Sequence, residues 1–120
     1  MGDALDITVR RERGVVIAAV TGEIDISTVT RLRERLFELA DSGGTLIADL
    51  NRVTFIDSAG LGALVGAARR AAANGGSLHA VCARPQTRKL LWLTGVDRRI
   101  PLAATVDGAL MFLASRDAPG

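Results

Sequence analysis

The chain of 120 residues contains one cysteine, one histidine, one tryptophan and no tyrosine, and each scarcity closes off some chemistry. Cys82 alone can make neither an internal disulfide nor a cysteine-based metal site, and a lone thiol fits a reducing compartment. His79 has no Asp or Glu beside it, and no group of His, Cys and carboxylates has metal-ligand spacing. With aromatics at 3% against a hydrophobic fraction of 48%, the core has to be aliphatic and alanine-rich. Charge of one sign is also scarce. The net value is +2, and the longest basic runs are pairs such as Arg10-Arg11, Arg69-Arg70 and Arg98-Arg99. Without a cluster or interleaved aromatics, nucleic-acid binding has no support, and solvated surface is the reading for those pairs. No apolar run approaches the roughly 20 residues of a spanning helix. The first residues carry no secretory signal, and Asp6 stands where a myristoylation signal wants Ser or Thr. A soluble, cytoplasmic single domain over residues 1–120 is expected, with no membrane partner.

What is present alternates regularly. Leu5, Ile7 and Val9 interleave with Asp6, Thr8 and Arg10, the pattern of a half-exposed strand. Glu12-Arg13-Gly14 makes a turn into the aliphatic run 15–20, so a hairpin with a more central second strand is expected. Residues 21–25 break that pattern. Ser27 or Thr28 can cap a helix with Val29, Leu32, Leu36, Leu39 and Ala40 inward and Arg31–Glu34 and Arg35–Glu38 pairs outward. After the stop at residues 41–44, a third strand runs over 45–50, followed by a polar loop and a return to the interior at Phe55-Ile56. A second helix from Asp57-Ser58 ends at Asn74-Gly75-Gly76. Strand four covers 77–82, Pro85 opens a short helix closed by Gly95, and Ile100-Pro101-Leu102 can form only a brief edge strand. Trp92 is expected to fill the core or cover the sheet edge. Thr105 caps a last helix with Val106, Leu110 and Leu113 inward, and residues 117–120 should fray. The order β-β-α-β-α-β-α-β-α predicts an α/β fold: one small mixed, mainly parallel sheet of four to five strands with about four helices.

The second helix is the unusual element. Leu61, Leu64, Val65, Ala68 and Ala72 make a helical stripe to bury, and the opposite face carries Ala59, Gly62, Ala63, Gly66, Arg70 and Ala73. Each interior glycine weakens a helix by roughly 1 kcal/mol relative to alanine. Either a partner's backbone approaches that smooth face, or the glycines clear room for a neighbouring segment; the pattern supports both equally. A hydrolase at Ser58 lacks a base, and Ile56 replaces the first glycine of a G-x-S-x-G elbow. Gly60-x-Gly62 with Gly66 is one residue too long for a dinucleotide fingerprint. It follows a loop rather than a tight turn, and lacks the acid expected about 20 positions on. Asp25 and Asp57 each precede a helix at the same end of the sheet. Taken singly, each reads as a simple cap.

Phe55-Ile56-Asp57-Ser58-Ala59-Gly60-Leu61-Gly62, with Gly22-Glu23-Ile24-Asp25 upstream and Gly75-Gly76 downstream, resembles the STAS domain family. More narrowly it is similar to the stand-alone anti-sigma-factor antagonists of bacterial partner switching, over nearly the whole chain. The resemblance implies a non-enzymatic regulatory module without cofactor. Its Ser58 would be phosphorylated by an anti-sigma factor serine kinase of histidine-kinase-like ATPase fold, with a serine phosphatase as a further candidate partner. Ala59 stands where the family often has a second Ser or Thr, leaving Ser58 as the sole acceptor. The implied partner surface comprises Asp25, Asp57, Ser58, Ala59, Gly60, Gly62, Ala63 and Gly66. Unphosphorylated, it would dock on the kinase and free a sigma factor; phosphate at Ser58 would eject the partner without unfolding the domain. The alternative within the same family is a detached STAS subunit of a transporter or lipid-handling complex. An enzyme ranks third.

Overall fold

Strands β1 (Leu5–Glu12) and β2 (Val15–Ile24) form the expected hairpin around Arg13 and Gly14, both with positive φ (54° and 77°). That is the two-residue turn whose twist matches a right-handed strand pair. The computed structural model describes residues 5–117; the readings made on the first four residues and, of the fraying expected at 117–120, the part at 118–120 lie outside them, while Asp117 is the last residue of a helix. Then follow α1 (Val29–Asp41), β3 (Thr45–Ile56), α2 (Ser58–Ala73), β4 (Ser77–Val81), α3 (Pro85–Leu93), an unforeseen 3-10 turn (Val96–Arg98), β5 (Leu102–Ala103) and α4 (Val106–Asp117). The sheet order is β1-β2-β3-β4-β5, antiparallel at the hairpin and parallel thereafter. Element order, five mainly parallel strands and four helices match the expectation.

Period-two alternation decides which helix covers which face. Val16, Ala18 and Val20 of β2, Leu46, Ala48 and Leu50 of β3, and Leu78 and Ala80 of β4 pack with Leu32, Leu36, Leu61, Leu64 and Leu91 of α1 to α3. The intervening Val15, Ile17, Ile47 and Val81 pack with Ala109 and Leu110 of α4. The strands buried on both sides therefore read as unbroken aliphatic runs.

Strands β2 and β3 run further than their apolar stretches. Where a break at 21–25 and a polar loop at 51–54 were expected, the two remain paired, Thr21 with Arg52, Gly22 with Val53, Glu23 with Phe55 and Ile24 with Ile56. The register shifts twice along the way, and Gly22 takes φ 113° beside the second irregularity, a conformation that favours glycine. Ladder bonds hold these tips without needing apolar side chains on both faces. Asn51 also explains why a polar residue sits in a strand: its side chain accepts from the Ala83 N–H (2.7 Å) and donates to the Ala104 carbonyl (3.0 Å).

Three burial expectations are corrected. Phe55 is 51% exposed and Trp92 64% exposed. Helix α3 presents only Leu91 wholly to the core, with Leu90 partly buried, so Trp92 falls on its water side. In α2 the buried set is Gly60, Leu61, Ala63, Leu64, Ala67 and Ala71, with Ala72 exposed. Helix α1 clasps α2 from the side, with Asp41 gripping Arg70 through two bonds of 2.9 and 2.6 Å, and this widens the covered face.

Candidate functional site

The site grows from the pair of parallel strands that end side by side. Ile24 is opposite Ile56, and the Asp57 N–H still donates to the Ile24 carbonyl at 3.2 Å. One residue beyond each strand end stands an aspartate, so Asp25 and Asp57 come to the same edge, as anticipated. Both act as caps. Asp25 Oδ1 accepts from the Ser27 N–H (2.9 Å), the Ser27 hydroxyl (2.7 Å) and the Thr28 N–H (3.2 Å). These bonds, the Ser27 hydroxyl foremost, hold its carboxyl below the usual carboxylate value. Thr28 occupies the position before α1, but its hydroxyl turns back to the Glu23 carbonyl at 2.8 Å instead of capping the helix. Asp57 caps α2 directly: Oδ1 accepts from the Ala59 N–H (3.0 Å) and the Gly60 N–H (3.2 Å).

Ser58, the first residue of α2, is exposed. Ala59 is half-buried and Gly62 exposed, and a Cβ built on Gly62 would meet nothing within 4 Å. The rest of the implied partner surface is less accessible. Ala63 is fully buried, and a Cβ on Gly60 would strike Ile24 at 2.5 Å and Ile56 at 2.7 Å. Both belong to the core and are withdrawn from the partner surface; Gly60 lets α2 descend onto the strand tips. Gly66 is half-buried beneath Phe37, whose ring a Cβ would meet at 2.9 Å. There the alternative reading holds: the glycine clears room for α1.

In exchange the fold supplies two apolar residues that the sequence reading missed. Ile26, between Asp25 and Ser27, is 84% exposed, and Phe55 is 51% exposed. A groove of about 250 Å³ lined by Thr54, Phe55, Ile56, Gln86, Thr87 and Leu90 runs beside Phe55. The signal for Ile26 was available: a large aliphatic residue inside a turn has no strand or helix face to bury it.

His79 does not stand beside Ser58 as a base would. His79 is buried (3% exposed), its Nε2 3.3 Å from Ser77 Oγ and its ring against Phe112 of α4. It pairs with Ile47 in the ladder and shares that residue's α4-covered face, whereas α2 lies on the other side of the sheet. Burial, then Arg116, pushes its pKa below the ordinary 6.5. Because β3 runs to Ile56, a single residue separates strand from α2. The loop objection to a dinucleotide site therefore falls, while the glycine spacing still fails. Among the described residues no group of three His, Cys, Asp or Glu could hold a metal, and no helix is long and apolar enough to cross a membrane.

Comparisons with known proteins find relatives over nearly the whole chain. The STAS domain family model matches residues 6–109. The chain is 30% identical over 106 residues to an anti-sigma-B factor antagonist of Bacillus subtilis, covering 88% of this chain and 97% of that protein. It is 34% identical over 111 residues to the anti-sigma-F factor antagonist RsfB of Mycobacterium tuberculosis, covering 90% and 88%. A crystal structure of an anti-sigma factor antagonist from Mycobacterium paratuberculosis superposes with TM-score 0.84 at 32% identity, covering 94% of this chain and 95% of that one.

Proposed function

The chain belongs to the STAS domain family, and on that premise we propose that it is an anti-sigma factor antagonist switched by phosphorylation of Ser58. Unmodified, the whole chain acts in the cytoplasm as one binding module, without catalysis of its own. It holds an anti-sigma factor serine kinase away from its sigma factor. The observation that carries this reading is an exposed serine hydroxyl on the first turn of α2. Around it lie bare Gly62, exposed Ile26 and Phe55, and two aspartates at the same strand ends.

The geometry explains how one phosphate could act on the complex and spare the fold. A phosphoserine carries about −1.5 to −2 charges. Helix N-termini favour anions by up to about 2 kcal/mol, but Asp57 already takes the Ala59 and Gly60 N–H groups and would repel a second anion. The two effects oppose each other on an exposed residue, so stability changes little. In a closed interface the same dianion must lose its water beside Asp25 and Asp57 while Ile26 and Phe55 lose their apolar contacts. A penalty of about 3 kcal/mol weakens binding more than a hundredfold.

The direct test is incubation with each anti-sigma kinase of the source organism and ATP, mass mapping of the phosphate, and titration of the Ser58 variants. Ser58→Ala should bind constitutively, and Ser58→Asp or Ser58→Glu should bind at least tenfold more weakly. Equal affinities for all three refute the switch. Retention of the chain by a permease or lipid-handling enzyme, with no kinase bound, would transfer the fold to the other family role.

A further inference from the structure

Away from Ser58, strand β1 is an edge of the sheet, and among the described residues no strand pairs with its outer side. We propose that two copies of the chain pair antiparallel through this edge, Thr8 opposite Thr8, joining two five-stranded sheets into one of ten. Three features carry the inference.

The first is the direction of the backbone groups. Glu12 and Val15 close the two-residue turn and so form a hydrogen-bonded pair. Along an antiparallel ladder bonding alternates, so Asp6, Thr8 and Arg10 also bond toward β2. Leu5, Ile7, Val9 and Arg11 therefore turn their N–H and C=O groups outward. The Leu5 carbonyl agrees, since it accepts from Arg31 Nη1 at 2.9 Å. Strand β1 lacks the proline and bulge with which proteins blunt an edge: its register with β2 is unbroken from Leu5 to Glu12.

The second is self-complementarity. Asp6-Ile7-Thr8-Val9-Arg10 reads backwards as the same pattern with its charges inverted. With Thr8 on the two-fold axis, Asp6 of each copy faces Arg10 of the other on one side of the sheet, and Ile7 faces Val9 on the other. Directly opposed charge pairs and β-branched pairs both favour pairing. Sliding the register so that Val9 meets Val9 would set Asp6 against Glu12 and Ile7 against Arg11. The charges therefore favour the Thr8 register over that one. In the single chain Arg10 is bonded to Glu12 at 3.0 Å, but both side chains are about half exposed, and such a pair is readily exchanged.

The third is space. Ile7 floors an open cleft of about 330 Å³ walled by Arg31, Glu34, Arg35 and Glu38. Val9, 36% exposed, is the side chain that the second copy would bring there. Pairing is independent of the Ser58 reading. It sends the β2 and β3 ends of the two copies in opposite directions and leaves both Ser58 poles open.

Sedimentation equilibrium on the full chain should give a reversible dimer with Kd of about 10 to 500 μM, suited to a small contact. Asp6→Arg and Arg10→Asp should each weaken it at least tenfold, because each sets like charges face to face twice. Mixed in equal amounts, the two variants should form a heterodimer of at least native affinity, since opposite charges again meet at both positions. Val9→Pro, which removes an outward N–H that β2 does not use, should keep the circular dichroism of the native chain and abolish the dimer. A chain that stays monomeric to about 1 mM, a dimer indifferent to these variants, or a mixture that does not reassociate would overturn the proposal.

Discussion

Three glycines on one helix should respond to alanine in three different ways, and the differences measure the site. An alanine at any interior helix position gains about 1 kcal/mol over glycine from propensity. At Gly62 nothing lies within 4 Å of the added carbon, so the full gain should appear, raising Tm by about 4 °C. At Gly60 the carbon would sit 2.5 Å from Ile24 Cγ2 and 2.7 Å from Ile56 Cγ1, both in buried side chains. Overpacking of that kind costs about 1–3 kcal/mol and at times more, so Gly60→Ala should lower Tm by several degrees despite the propensity gain. Gly66→Ala meets the Phe37 ring at 2.9 Å. That ring is only half-buried, and its displacement should leave a result between the other two. Thermal unfolding followed by circular dichroism reads all three. The functional half uses Gly62→Leu, which fits the same open space. It should keep Tm within a few degrees of the native value and weaken anti-sigma factor binding at least tenfold. If Gly62→Ala destabilises as much as Gly60→Ala, the open surface described for α2 is wrong. If Gly62→Leu binds the partner normally, that surface is not where the partner sits.

Asp57→Ala removes two cap bonds and should cost about 1 kcal/mol, whereas Asp57→Asn retains an acceptor and should cost less than half of that; equal losses in urea titrations would contradict the capping role. For His79 the folded-state pKa lies below 6.5, so the unfolded chain binds the proton more readily. Its contribution is complete above pH 6.5 and is lost as pH falls, by up to about 1.4 kcal/mol per unit until the folded pKa is reached. Tm measured from pH 7.5 down to about 5 should fall, and His79→Gln should flatten that slope; an unchanged slope would exonerate His79. The Asp25 carboxyl, shifted down from 3.8, acts only below that range. Trp92, 64% exposed, should fluoresce as a hydrated indole open to iodide quenching, and Trp92→Ser should move stability by under about 0.5 kcal/mol. Blue-shifted, protected emission would return that residue to an interior site.

Much of this architecture follows from order along the chain. Alternation in Leu5 to Val9, the aliphatic runs after Gly14 and Gly44, the cap at Asp57 and the stop at Asn74 are local signals. Their physics is satisfied within a few residues, so the element order, the mainly parallel sheet and the serine at the start of α2 were all legible in the sequence. Burial within an element was less so. Ala63 looked like free surface because a helical wheel assumes one covering neighbour, whereas α2 meets both the strand tips and α1; Gly60 entered the partner surface through the family resemblance alone. Phe55 and Asn51 were misread for the converse reason. Ladder bonding carries β3 past the end of β4, where an aromatic ring stays in water and a polar amide finds backbone partners in segments far along the chain. Sequence by itself determined the elements, the cap at Asp57 and the serine that opens α2. Only the packed structure decided which small residues remain open and that Ile26 and Phe55 flank them, because exposure is set by every element that crowds a residue and not by its own periodicity.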